Sequence, residues 1–220
     1  MKKLESSLKN MALALTGFSV VAGGLLGWVN DVTAEPIAQA NAKTLSDAIA
    51  VVVPGFDNNP AEAPETVEVN GATYKIYKAT KGGKPIGAAV ESASNGFGGT
   101  LTVLVGFDNE GNIIDYSLLS HSETPGLGSK AADWFKKGAK GDITGKNPGK
   151  APLTVSKDGG DVDAITASTI TSRAFLLAVN NAYAAYMNQH VDGASGASQQ
   201  KKGAGEYEKA DTTNVEPVKE

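Results

Sequence analysis

The sequence predicts an α+β protein, with a mostly antiparallel sheet flanked by helices and preceded by one N-terminal transmembrane helix. Residues 11–29 form an uncharged apolar run, which is long enough to cross a bilayer as a helix. Between residues 67 and 120, alternating apolar segments are separated by short polar turns, a pattern typical of antiparallel strands. Helical patterns precede and follow these strands, as in an α+β domain.

Composition narrows the classes of function. The chain has 220 residues, a net charge of -4, no cysteine and two histidines. Without cysteine there are no disulfides, zinc–cysteine sites or iron–sulfur clusters, and the presence of only two histidines argues against a histidine-based metal site. Because acidic and basic residues are mixed and form no basic stripe, we expect no nucleic-acid partner.

The N-terminal region predicts membrane attachment and its orientation. Lysines in residues 1–10 precede the apolar run, and Asp31 and Glu35 follow it. The positive-inside rule therefore places residues 1–10 in the cytoplasm. We expect a single-pass anchor at 11–29 in the cell inner membrane, with the main domain periplasmic or otherwise extracytoplasmic. A cleaved signal peptide ending at 32–34 is the alternative, although the apolar run exceeds a usual signal core.

The remaining elements follow from periodicity and turn residues. In chain order they are a linker at 30–42, a short amphipathic helix at 43–53, a strand beginning at Val67, strands at 72–79, 85–92, 100–107 and 113–120, a helix at 130–137 and a final helix starting near Ser172. Residues 142–159 are predicted to be a long loop with one edge strand at 151–155. We assign 43–191 to the folded domain, and 192–220, which are almost devoid of apolar residues, to a disordered tail.

Two segments of the folded domain suggest a binding site. Thr124-Pro125-Gly126-Leu127 suits a type II turn, a rigid element against which a flat ligand can lie. The alternative is an ordinary strand–turn–helix joint with Glu123 as a solvated carboxylate.

The second segment, 163–173, places the hydroxyls of Thr169, Thr171 and Ser172 just before a helix. A helix start offers free N–H groups to a phosphate, and the Thr171 hydroxyl is a further candidate donor. The alternative is that these hydroxyls simply cap the helix.

Together these segments, 121–128 and 163–172, resemble the FMN-binding domain family that carries covalently attached flavin. The Gly96-Phe97-Gly98-Gly99 segment before an apolar strand is also similar to that family. Within it, residues 43–191 and the anchor are most similar to the G subunit of the Rnf ion-translocating electron-transport complex. The C subunit of the sodium-translocating NADH–quinone reductase is the nearest confusable relative.

The resemblance implies that a separate flavin transferase esterifies the phosphate of FMN to Thr169. Ala167 and Ser168 stand where the family has Gly-Ala, and we expect that position to need only a small side chain, not a positive φ. The predicted cofactor-binding residues are Thr169, Glu123, Thr124, Leu127, Gly128, Ser168, Ile170 and Thr171.

The implied function is a membrane-anchored electron-carrier subunit of an ion-translocating oxidoreductase, with no catalysis by this polypeptide alone. Its implied partners are the other subunits of the membrane complex. Besides the quinone-reductase subunit, a non-redox extracytoplasmic binding module remains an alternative. A hydrolase with Thr169 or Ser172 as nucleophile lacks a plausible base nearby in sequence.

Overall fold

The first helix is longer than the sequence predicts. The computed structural model describes residues 8–69 and 72–187, and it forms two compact units, Met1–Thr44 and Leu45–Glu220. Helix α1 spans Leu8–Val52 with Pro36 inside it, and it is long and apolar enough to cross a membrane. The expected linker at 30–42 is therefore helical, because this stretch is rich in alanine, the strongest helix former.

In the second unit, the end of α1 packs on the sheet. Ile49, Val52 and Val53 are buried, which confirms the amphipathic pattern predicted for 43–53, and the helix ends just before Pro54-Gly55 as predicted. Gly106 lies so close to the Val52 carbonyl that a Cβ would overlap it. The close approach of backbone to backbone fixes this last turn against the sheet.

The predicted antiparallel sheet is confirmed. Five strands pair in the order in which they occur along the chain, each antiparallel to the next. They are β1 (Glu65–Val69), β2 (Ala72–Lys81), β3 (Lys84–Asn95), β4 (Thr100–Asp108) and β5 (Ile113–His121). Lys81 pairs with Lys84, which confirms the predicted hairpin between β2 and β3.

The two faces of the sheet bury different partners, since successive side chains of a strand alternate between faces. Ala89 and Leu104 face the end of α1, whereas Val90 and Val105 belong to the main core. Helix α3 (Thr169–Tyr186) covers that second face. Its Phe175 ring stacks on Phe135 at 4.3 Å and meets Tyr116 edge-on at 4.7 Å.

Three local predictions are wrong. Helix α2 is shorter than expected, covering only Ala131–Trp134 after a 3₁₀ turn at Gly128–Lys130. The edge strand expected at 151–155 is reduced to a single bridge between Val155 and Val162, because the Asn180 side chain bonds both backbone groups of Leu153. Helix α3 starts at Thr169, ahead of Ser172, because the Ser168 carbonyl accepts the Ser172 N–H. The predicted tail lies outside the described residues.

Candidate functional site

A cavity of about 320 Å³ lies where the turn after β5, the start of α3 and the loop between β3 and β4 meet. All eight residues predicted to bind the cofactor line it. The complete lining is Phe97, Glu123, Thr124, Leu127, Gly128, Ala167, Ser168, Thr169, Ile170 and Thr171. Phe97 and Ala167 were not among the predicted residues. The aromatic residue flanked by glycines at 96–99 was the available signal for Phe97.

Glu123 holds the three segments together. Its side chain is buried, which makes the alternative of a solvated carboxylate wrong. Oε1 accepts hydrogen bonds from the N–H groups of Phe97 (2.9 Å) and Gly98 (3.3 Å), and Oε2 accepts one from the Thr171 hydroxyl (2.8 Å). A buried carboxylate is stable only when its oxygens are satisfied in this way. Glu123 is thus a framework residue of the cavity.

The turn after β5 has the predicted type II features. The Leu127 N–H donates to the Thr124 carbonyl at 3.1 Å, and Gly126 has φ 74°. Type II turns require this positive φ at their third residue. The Ser129 hydroxyl accepts the Gly126 N–H at 2.9 Å. The turn leaves Leu127 40% exposed at the cavity.

The start of α3 is not capped by the hydroxyl side chains, so the simple capping alternative is wrong. Ser168 is the N-cap residue and its side chain makes no capping bond. Among the described residues, no hydrogen-bond acceptor is found for the N–H groups of Thr169, Ile170 and Thr171. These groups remain available beside the cavity. The Thr171 hydroxyl is not an additional free donor, because it already donates a hydrogen bond to Glu123.

Ala167 has φ 62° and is the only non-glycine residue with positive φ in the described chain. The expectation that this position needs only a small side chain is therefore wrong, because the loop uses a left-handed backbone that glycine adopts freely. The loop turns here because the Ser168 N–H bonds the Ile165 carbonyl at 3.0 Å, just before the helix begins.

Two cations lie near Thr169 and differ in their pairing. The Lys157 Nζ donates to Thr169 Oγ1 at 3.3 Å. Arg173 is buried and binds both oxygens of Asp158 at 2.6 Å. This pairing lowers the pKa of Asp158 and raises that of Arg173, since each charge stabilises the other.

Comparison with known proteins finds a domain family that matches the region of the cavity. The family model of the FMN-binding domain matches residues 96–184, which include every residue lining the cavity. A solved structure, the C subunit of the Na⁺-translocating NADH-quinone reductase of Parabacteroides distasonis, shares 21% identity at a TM-score of 0.45. The alignment covers 67% of this chain and 91% of that one.

Curated relatives narrow the class further. The G subunit of the ion-translocating oxidoreductase complex of Yersinia pestis is 35% identical over 80% of this chain and 88% of its own length. The G subunit of Vibrio cholerae serotype O1 (strain M66-2) is 34% identical over 84% and 92%, respectively. The chain belongs to the family formed by the G subunits of the Rnf ion-translocating oxidoreductase complexes.

Proposed function

We propose that this chain is a single-pass membrane flavoprotein subunit of an ion-translocating oxidoreductase, and that it carries FMN esterified through its phosphate to Thr169. The observation that carries the proposal is the position of this threonine. Thr169 is the first residue of α3 and lies at the cavity beside unpaired N–H groups. A hydroxyl at that position can bear a phosphate that the helix start stabilises.

The phosphate end of FMN fits the residues present. The N–H groups of Thr169, Ile170 and Thr171 have no acceptor among the described residues, and an anion would satisfy donors of this kind. Thr169 is only partly buried, so its hydroxyl is accessible to a flavin transferase. Lys157 adds positive charge at the same hydroxyl.

The apolar end of FMN also fits. Phe97 is 72% exposed and Leu127 is 40% exposed, although both are large apolar side chains. Both line the cavity together with Ile170. Exposed apolar groups gathered at one concave site are typical of a surface that a flat aromatic ligand covers.

The residues of this chain would bind, tether and orient the cofactor. FMN supplies the redox chemistry when bound. Glu123 sets the position of the surrounding backbone, and attachment at Thr169 would keep the flavin from dissociating. Retention of the flavin matters for a domain outside the cytoplasm, where the lysine-rich N-terminus predicts that this domain lies. Electrons would reach it through the other subunits of the complex.

The attachment can be tested in the full chain co-expressed with a flavin transferase. After denaturing electrophoresis, we expect the wild-type band to fluoresce under ultraviolet light and the Thr169→Val band to be dark. The matched control is Thr66→Val, which changes an exposed threonine of β1 and should leave fluorescence unchanged. A dark wild-type band, or a fluorescent Thr169→Val band, would contradict the proposal.

A redox titration of the fluorescent protein separates an electron carrier from a binding module. We expect the bound flavin to be reduced and reoxidised reversibly, with the change followed by its visible absorbance. A flavin that cannot be reduced in the native protein would favour the non-redox alternative.

A further inference from the structure

We infer that Lys157 is the cationic contact for the phosphate at Thr169, and that the ion pair between Asp158 and Arg173 positions it. This inference rests on the proposed function, because it concerns the same phosphate. It adds a binding residue and a positioning pair from a loop that no sequence motif had connected to the site.

The Lys157 side chain is directed toward the hydroxyl oxygen of Thr169, the atom that would be esterified. Its Nζ lies 3.3 Å from Thr169 Oγ1. An ammonium group can only donate hydrogen bonds, so the threonine oxygen accepts. In the proposed ester the same oxygen is bonded to phosphorus, and the charged phosphate oxygens are attached to that atom. The ammonium therefore lies beside the position where negative charge would be introduced.

The Lys157 ammonium is not bonded to a carboxylate in the described part of the chain. It takes part in none of the ion pairs that the described residues form. Asp158, its neighbour in sequence, would be the natural partner, but Arg173 binds both of its oxygens. Since both oxygens of Asp158 are bonded to Arg173, Asp158 acts on Lys157 only through space, and the Lys157 ammonium keeps the capacity to pair with an anion next to Thr169. A phosphodiester carries one negative charge, which one lysine can balance.

The backbone that carries Lys157 is fixed on both sides. Lys157 lies in the 3₁₀ turn Ser156–Asp158. On one side, the Ser156 N–H bonds the Val162 carbonyl at 2.8 Å. On the other side, the ion pair of Asp158 ties the turn to α3. The buried Arg173 lies one helical turn beyond Thr169 on α3, so the pair sets the turn relative to the residue that would be esterified.

Phosphorus NMR of the flavinylated full-length protein tests the contact directly, because the chemical shift reports on the charges around the ester. We expect Lys157→Met to move the signal from its native position toward that of the denatured protein. Lys157→Arg should keep most of the native shift. The matched control is Lys84→Met, at the first residue of β3 and thus at the end of that strand away from the cavity, and it should have no effect. A native shift in Lys157→Met would overturn the contact.

Variants of Asp158 test whether its ion pair with Arg173 positions Lys157. Asp158→Asn should move the phosphorus signal in the same direction as Lys157→Met, although it removes no group that contacts the phosphate. Asp158→Glu keeps the negative charge and should leave the signal near its native position. Circular dichroism verifies that each variant is folded. An unchanged signal in folded Asp158→Asn would overturn the positioning role.

The amount of covalent flavin in each variant and in the wild-type chain separates failure of this inference from failure of the proposed function. A folded Lys157→Met that carries no flavin, while Lys157→Arg is loaded, would also support the inference. A wild-type chain without covalent flavin would overturn the proposed function, and the inference with it.

Discussion

Two loops border the cavity, and each makes a different demand on its small residues. In the loop between β3 and β4, a Cβ at Gly96 would overlap the Glu123 carboxylate, and one at Gly98 would overlap the Ser122 carbonyl. In the loop before α3, Ala167 is exposed but has φ 62°. The first loop lacks space, whereas the second has an unfavourable backbone conformation.

The cavity therefore has a rigid side, formed by the loop between β3 and β4, and a strained side, formed by the loop that carries Ala167. Neighbouring atoms lie close to Gly96 and Gly98, and the buried Glu123 carboxylate holds the backbone of this loop. At Ala167 the surroundings tolerate a side chain, and the cost is the left-handed backbone, about 1–2 kcal/mol for a residue with a Cβ. The strain lies two residues before Thr169, at the proposed attachment point.

The largest loss of stability is expected when Glu123, which holds the rigid side of the cavity, is replaced. Glu123→Ala leaves the N–H groups of Phe97 and Gly98 and the Thr171 hydroxyl without their acceptor. The Thr171 hydroxyl is buried and the two N–H groups are partly buried. Because all three lose a charged acceptor, we expect the free energy of unfolding to fall by about 3 kcal/mol. Urea denaturation measures this change.

The control for this prediction is Glu68→Ala, which removes an exposed glutamate of β1 and should change stability by less than about 0.5 kcal/mol. If the two variants were equally stable, Glu123 would not be a framework residue of the cavity.

A smaller effect is expected from filling the space beside Gly98. In Gly98→Ala the new methyl group meets the Ser122 backbone, which cannot move aside as a flexible side chain would. We expect a loss of about 2 kcal/mol in unfolding free energy, typical of overpacking. Gly83→Ala is the matched control, because Gly83 has φ 73° and open space around it. It should lose only about 1 kcal/mol, and an equal or greater loss there would contradict the steric explanation.

Much of the fold could be predicted because its signals are local. The hairpin glycines, the alternating strands and the apolar face of α3 each depend on residues near in sequence. The type II turn at 124–127 was predictable for the same reason. The family resemblance then selected eight residues that the structure gathers around one cavity.

The rest depends on contacts between distant segments. The Asp158–Arg173 pair and the bonds that bury Glu123 join residues far apart in sequence, and no local pattern predicts them. The bonds from Asn180 to Leu153 replace the expected edge strand in the same way. At Ala167 the glycine of the family was the available signal for a positive φ, whereas alanine itself is normal in either a helix or a loop and does not indicate the sign of φ.

The smallest effect is expected from relieving the strained side. In Ala167→Gly the backbone keeps its φ without the Cβ penalty of about 1–2 kcal/mol. Glycine also makes the unfolded chain more flexible, which lowers the stability by about 0.4–1 kcal/mol. We therefore expect a net gain of about 0.5–1 kcal/mol, measured by urea denaturation. Ala151→Gly, at an exposed loop alanine without positive φ, lacks the strain and should lose about 0.5 kcal/mol. The same alanine-to-glycine change should therefore raise the free energy of unfolding at position 167 and lower it at position 151. A loss of stability in both variants would show that the left-handed backbone at Ala167 is not strained.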